Sequence, residues 1–331
     1  MAAAAEAAWA STARQAAAAA TATEWAPASC GTPHPLLSES LPLAVLLQDA
    51  IRQTFAWWVE LIGRAGNLST DSGAVPPRIV GMKHLLEATA AAEERHFWFL
   101  ALRRQSRALL AQALNGRSPR LIVDCGAGTG RNLDWLREFG PAVGVELSTT
   151  GLEIGREYGR RLVRGTVTQL PLPDQSADVV TSFDVLGAMK RSDAEAAARE
   201  MWRVLRPGGI AIINVAALEI LRGSHSVAAE EHQRFSKRGF AALLGSAGFT
   251  VDRLTFSHLS SFPVALAIRS AERFTGRARK PSVAYLEVPP APVNTLFDGL
   301  LRVEAAWLRV GNLPIGSSLL MLARKAPQTK S

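Results

Sequence analysis

The stretch Arg120-Leu121-Ile122-Val123-Asp124, followed at once by Cys125-Gly126-Ala127-Gly128-Thr129-Gly130, constrains the fold of this 331-residue chain more than any other. A short apolar run bounded by turn residues reads as a buried strand. Glycines at alternate positions let the backbone turn tightly and approach a ligand closely. Arg131–Phe139 then reads as a helix, whose N-terminus presents free N–H groups and positive potential. Glu146 stands 20 residues after Gly126, at the end of the next strand, where a carboxylate can accept both hydroxyls of a ribose. Strand, glycine loop and second acid together point to an adenosine-containing cofactor on a parallel sheet.

The loop also discriminates between cofactors. A dinucleotide fingerprint needs a third glycine where this chain has Arg131, so a nicotinamide dehydrogenase is disfavoured. Asp124, two residues before the first glycine, would repel a pyrophosphate and suits a cation. S-adenosylmethionine carries both an amine and a sulfonium.

Around the loop the pattern alternates. Lys83–Leu114 is helical in pattern and carries the aromatic run His96-Phe97-Trp98-Phe99. Further strands are expected at Ala142–Glu146, Asp178–Phe183, Ile210–Ala216 and Phe249–Phe256. Helices are expected at Leu152–Arg161, at Asp193–Leu205 with a stop at Pro207-Gly208-Gly209, and after a Ser236 cap, ending at Gly248. The 59 residues Ser257–Ile315 are too many for a loop. Phe262–Ile268 and Leu296–Val310 read as two helices forming a lid or an apolar substrate wall, with Arg269, Arg273, Arg277, Arg279 and Lys280 between them opposed only by Glu272.

The front of the chain differs from the rest. Sixteen of the first 30 residues are Ala, and residues 1–82 carry four arginines against six acids, so the formal charge of +8 resides in the remainder as +10. Ala favours helix but buries little area to offset ordering entropy. Residues 1–81 therefore read as an Ala-rich leader, largely disordered, with a possible helix at 41–63 and a Ser/Pro/Gly linker at Asn67–Pro77. Its first charge is Glu6 and its centre is Ala, not Leu, which argues against a secretory signal; a transit peptide is a weaker alternative. Met82 stands as a real or alternative start. A hydrophobic content of 48% rules out wholesale disorder, and no run reaches the roughly 18 apolar residues of a spanning helix. The two cysteines, Cys30 and Cys125, exclude a disulfide scaffold and fit a reducing, cytoplasmic compartment. No His/Cys set has zinc spacing, so no metal is expected.

At the glycine loop the chain resembles the class I S-adenosylmethionine-dependent methyltransferases, and more narrowly their type 11, small-molecule group. Gly165-Thr166-Val167-Thr168-Gln169-Leu170-Pro171-Leu172-Pro173-Asp174 is similar to the adenine-binding segment of that family, and Arg203–Gly209 to its turn into the fifth strand. Leu313–Lys325 and the His96–Phe99 run resemble the last strand and leading helix of one subset.

The resemblance implies an α/β, Rossmann-like three-layer sandwich over residues 82–331. It implies a seven-stranded, mostly parallel sheet with an antiparallel last strand: core 119–256, helical insertion 257–315, last strand 316–325. It assigns S-adenosylmethionine to Asp124, Gly126, Ala127, Gly128, Thr129 and Gly130 at the methionine end, Glu146 and Leu147 at the ribose, and Thr166 and Val167 at the adenine. Phe183 is added as an aromatic face for the positive centre, with Trp98 and Phe97 as further candidates.

His225 and His232, with Glu231 behind them, are the candidates for a general base. The expected partner is a small-molecule methyl acceptor, lipid-like or glycan-linked. The basic cluster suggests peripheral membrane contact; nucleic acid is not expected, since aromatic interleaving is nearly absent. Three departures stand out: Thr166 where the family has an acid, Gly187-Ala188 where it often has Glu-His, and Glu231 where relatives place a second histidine six residues after the first. They leave open a degenerate methyltransferase fold that binds cofactor or partner without catalysis.

Overall fold

The structure is a computed structural model and describes residues 82–327. The leader 1–81 and the helix expected at 41–63 lie outside the described residues. Strands β1 (Ile122–Cys125), β2 (Ala142–Glu146), β3 (Leu162–Arg164), β4 (Ala177–Phe183), β5 (Leu205–Ala216), β6 (Phe249–Ser257) and β7 (Ser318–Lys325) form one sheet in the order β3-β2-β1-β4-β5-β7-β6. The first five strands are parallel, and β7 runs antiparallel between β5 and β6.

Helices cover both faces. They are α1 (Met82–Ala92), α2 (Phe97–Leu114), α3 (Asn132–Leu136), α4 (Thr149–Glu157), α5 (Arg191–Val204), α6 (Ser224–Ala228), α7 (Lys237–Ser246), α8 (Phe262–Phe274) and α9 (Ala291–Trp307). The sheet's period of two sorts its side chains between two cores. Val123, Ala211, Ile213, Val215, Leu319 and Met321 meet Ala197, Met201, Phe240 and Leu243 of α5 and α7. Ile122, Ile210, Ile212, Leu320 and Leu322 meet Leu109, Leu110, Leu133 and Leu136 of α2 and α3. Burial on both faces is why these strands read as apolar runs instead of alternating ones.

Several boundaries differ from the sequence reading. The single helix expected over Lys83–Leu114 is two, because His96 caps the second: its Nδ1 accepts from Trp98 N at 3.2 Å. Helix α4 starts earlier than Leu152, where the Ser148 hydroxyl accepts from Gly151 N. Strand β5 begins at Leu205 instead of Ile210, and its pairing with β4 shifts register across Pro207-Gly208-Gly209, so the expected turn is an irregularity within the strand.

The order places β1 beside both β2 and β4. The progression of strand order reverses there, and a crevice opens at the carboxyl ends of β1 and β4, where open α/β sheets bind ligands. The insertion before β7 packs along α2: Phe97 stacks on Phe297 at 5.0 Å, Phe97 N donates to Asn294 Oδ1 at 2.9 Å, and Arg104 pairs with Asp298 at 2.5 Å.

Candidate active site

The glycine loop lies at this crevice. Gly126, Gly128 and Gly130 adopt φ of 77°, 56° and 74°, a region costly for residues with a Cβ. A Cβ on Gly126 would stand 2.4 Å from Val185 Cγ2. Two glycines of α4 press its helix onto the loop: Cβ atoms on Gly151 and Gly155 would meet Gly128 O at 2.6 Å and Thr129 O at 3.1 Å. From the other side, buried Glu93 accepts from Thr129 Oγ1 at 2.8 Å, while Arg160 donates to Thr129 O at 3.1 Å and pairs with Asp134 at 2.9 Å. Arg131, at the position that argued against a dinucleotide, is held by Glu94 and Asp134. The loop is thus held before any ligand arrives.

Asp124 is buried at the tip of β1. Its Oδ1 accepts from Thr181 Oγ1 at 2.7 Å, and its Oδ2 has no partner among the described residues. Burial, with Glu146 adding to it, raises this carboxyl to about 7, against the lowering effects of the Thr181 bond and of the nearby Asn132 amide. An orphaned buried carboxylate oxygen at the foot of this loop fits a cationic ligand group. Glu146 is half-buried at the tip of β2, its Oε2 accepting from Gly128 N at 2.8 Å and its Oε1 from Ser148 N at 2.7 Å. Each oxygen keeps a lone pair for a ribose hydroxyl, and Leu147 beside it is exposed.

The expected adenine segment forms a tight turn, with Thr166 bridging to Gln169 and Val167 buried. Helix α5 pins it. Glu200 accepts from Leu170 N at 2.7 Å, and Arg203 donates to Leu170 O at 3.1 Å and Leu172 O at 2.9 Å. The Thr166 hydroxyl lies 2.8 Å from that of Thr168, so its hydrogen-bonding capacity is partly used within the turn. Phe183, at the end of β4, packs edge-on to Trp135. Trp98 stacks on His258 at 4.9 Å, and both Trp98 and Phe97 serve helix packing. Burial raises the Cys125 thiol well above its usual range, consistent with packing rather than chemistry.

Of the proton-transfer candidates, His225 and Glu231 come together and His232 does not join them. Arg234 donates to Glu231 Oε1 at 2.9 Å and contacts His225 Nε2 at 3.0 Å, and His225 stands 3.9 Å from Glu231. Arginine can only donate, so His225 Nε2 accepts and its proton resides on Nδ1, which has no partner among the described residues. Burial and the surrounding Arg269, Arg234 and Arg222 hold the His225 pKa well below the ordinary value. The ring is a neutral hydrogen-bond donor, poorly suited to accept a proton. His232 is exposed, and its backbone N donates to Gly187 O at 2.9 Å. Gly187 is small where the Glu231–Gln233 segment crosses it: a Cβ there would lie 3.3 Å from Gln233 O.

Sequence reasoning passed over one residue of this crevice. Asp184, the first residue after β4, is solvent-exposed yet encircled by protein, and its carboxyl is raised to about 7 by burial, chiefly, and then by Glu231, against Arg234 and Asn214. The signal available was an acid at the carboxyl end of a central strand. By contrast, a depression of about 580 Å³ lined by Arg137, Gly140, Pro141, Ala142, Gly159 and Arg161 opens at the opposite edge of the sheet and holds none of these groups.

Residues 123–213 match the family model described as a methyltransferase domain, type 11. The match runs from β1 to β5, the part of the sheet that carries the glycine loop. A malonyl-[acyl-carrier protein] O-methyltransferase of Yersinia pestis is 30% identical over 148 residues, 44% of this chain and 55% of the relative. A demethylmenaquinone methyltransferase of Roseiflexus is 33% identical over 146 residues, 42% of this chain and 59% of the relative. The chain thus spans little more than half the length of these curated relatives. Among solved structures, the Burkholderia thailandensis 1,6-didemethyltoxoflavin-N1-methyltransferase with bound S-adenosylhomocysteine is similar with a TM-score of 0.45 at 18% identity, over 78% of this chain and 93% of that one.

Proposed function

We propose that the protein is an S-adenosylmethionine-dependent methyltransferase acting on a small molecule. The observation that carries this reading is the orphaned, buried Asp124 Oδ2 beside a glycine loop whose partner acid, Glu146, ends the neighbouring strand. Asp124 takes the ammonium end of the cofactor, Gly126–Gly130 accommodate the methionine part, Glu146 and Leu147 bind ribose, and Thr166, Val167 and Phe183 bound the adenine and the reacting centre. Bound S-adenosylmethionine supplies an already activated methyl on a sulfonium, so orientation and exclusion of water are the main tasks left to the chain. Glu231 holds Arg234 and through it the His225 ring behind the acceptor site, and His232 lies at the rim.

The names of the relatives, a malonyl-carrier and a quinone-type methyltransferase, support a lipid-like or carrier-linked acceptor. The absence of a spanning helix among the described residues is compatible with a cytoplasmic enzyme that touches membranes through Arg277, Arg279 and Lys280. Thr166, whose hydroxyl bonds within its own turn, favours as a second reading a protein that binds cofactor without turning it over.

Binding of S-adenosylhomocysteine and incubation with methyl-labelled cofactor and cell extract separate the readings. Binding with label transfer supports the enzyme, binding without transfer supports the second reading, and failure to bind removes both.

A further inference from the structure

Asp184 leaves strand β4 with φ 58°, in the left-handed region that aspartate tolerates better than most residues. Asn214 of β5 holds it twice: Asp184 N donates to Asn214 O at 3.0 Å, and Asn214 Nδ2 donates to Asp184 Oδ1 at 2.9 Å. The next residue, Val185, is the one against Gly126, so Asp184 is one residue from the wall of the cofactor loop. Asp184 is exposed to solvent there, with Asn214, Glu231 and Arg234 close by.

The neighbouring carboxylates are all neutralised. Glu231 has Arg234 at 2.9 Å, Glu272 has Arg269 at 2.6 Å, and Glu219 has Arg222 at 3.2 Å. Asp184 has only an amide, and its Oδ2 accepts no hydrogen bond from the described residues. The groups facing it are Asn214 from β5, Glu231 and Arg234 from the segment after α6, and Tyr285 from the insertion. The Tyr285 ring lies 5.4 Å from that of His225, whose Nδ1–H is also without a partner. Asp184 Oδ2 is thus the free proton acceptor of this surface, while the His225 Nδ1–H is enclosed. The arginines around His225 make it a poor site for a protonated amine.

We propose, on the methyl-transfer reading above, that Asp184 is the proton acceptor of the reaction and that the methyl acceptor carries a weakly acidic hydroxyl, phenolic or enolic. The acceptor oxygen forms its bond to the methyl carbon as the methyl–sulfur bond breaks with its electron pair left on sulfur. The hydroxyl proton passes to Asp184 Oδ2, so a carboxylate and a sulfonium charge disappear together. Burial, with Glu231 adding to it and Arg234 and Asn214 opposing, places the Asp184 carboxyl at about 7, where a base is half-ready at neutral pH.

The test uses the full chain. In protein labelled with carboxyl-¹³C aspartate and free of ligand, a resonance titrating near neutrality disappears in Asp184→Asn. In Asn214→Ala the same resonance moves to higher pH, because the lowering amide bond is gone; this second variant also serves if the first fails to fold. S-adenosylhomocysteine binds wild type and Asp184→Asn within about twofold, while 4-nitrocatechol binds the S-adenosylhomocysteine complex of the wild type at least roughly fivefold more tightly than that of the variant. An Asp184 that titrates in the ordinary carboxylate range overturns the proposal. So does nitrocatechol binding that is absent from, or equal in, the two proteins. A large loss of S-adenosylhomocysteine affinity in Asp184→Asn would instead assign the carboxylate to the cofactor. Failure of the wild type to bind S-adenosylhomocysteine overturns the methyl-transfer reading itself, which the ligand-free titration does not depend on.

Discussion

Asp124 meets the cofactor question with one atom, the Oδ2 that nothing in the described chain satisfies. With its carboxyl near 7, the ligand-free protein carries the proton at acid pH, and a cationic ligand group must displace it. S-adenosylhomocysteine affinity is therefore expected to fall by about tenfold per pH unit below 7 and to level off above it. Titration calorimetry across pH 5.5–8.5 checks this, and Asp124→Asn binds more weakly without that slope. Stability has the complementary sign. The folded-state pKa lies above the unfolded value, so the contribution of the protonated carboxyl is complete below the unfolded pKa and is lost as pH rises through about 7. Asp124→Asn should raise the ligand-free melting temperature at pH 8, by a margin that shrinks toward pH 4. Asp124 and Glu146 were legible in the sequence because strand ends and glycine spacing are local. The pairing of His225 with Arg234, which makes the histidine a donor, was not: it joins a short helix to a residue nine positions on through side chains alone.

Helix α4 and the α5 clamp show how elements shape the site without touching chemistry. Gly151→Ala would drive a Cβ into Gly128 O, and S-adenosylhomocysteine affinity is expected to drop roughly tenfold while the fold persists. Arg203→Ala frees the carbonyls of Leu170 and Leu172. Amide exchange should then accelerate over 166–172 and leave β1 and β4 protected; uniform acceleration across the sheet would show that Arg203 supports the core instead. In the insertion, α9 is a packing element. Phe297→Ala removes the ring stacked on Phe97 and should cost about 3 kcal/mol in denaturant unfolding. The strands and the main helices were readable from apolar runs and caps. The break between α1 and α2 was not, because Glu93 and His96 sit in a continuous helical pattern; Glu93 is drawn to distant Thr129, and His96 turns its ring onto Trp98 N as a cap.

Across the described residues, the sheet order brings five parallel strands to one crevice edge and inserts the antiparallel β7 between β5 and the edge strand β6. That arrangement followed from family resemblance more than from physics, since β3 is only three residues long and partly exposed, with little pattern of its own. Charge is arranged more locally than the net +8 suggests: the arginines near the crevice are matched by acids, and Asp184 is left unmatched.

The most direct measurement of the central claim is calorimetric titration of the full chain with S-adenosylhomocysteine and, separately, with NAD. S-adenosylhomocysteine is expected to bind saturably at about one per chain, more weakly in Glu146→Ala, and NAD not to bind. Binding of NAD alone, or binding of S-adenosylhomocysteine unaffected by Glu146→Ala and Asp124→Asn, would contradict that claim.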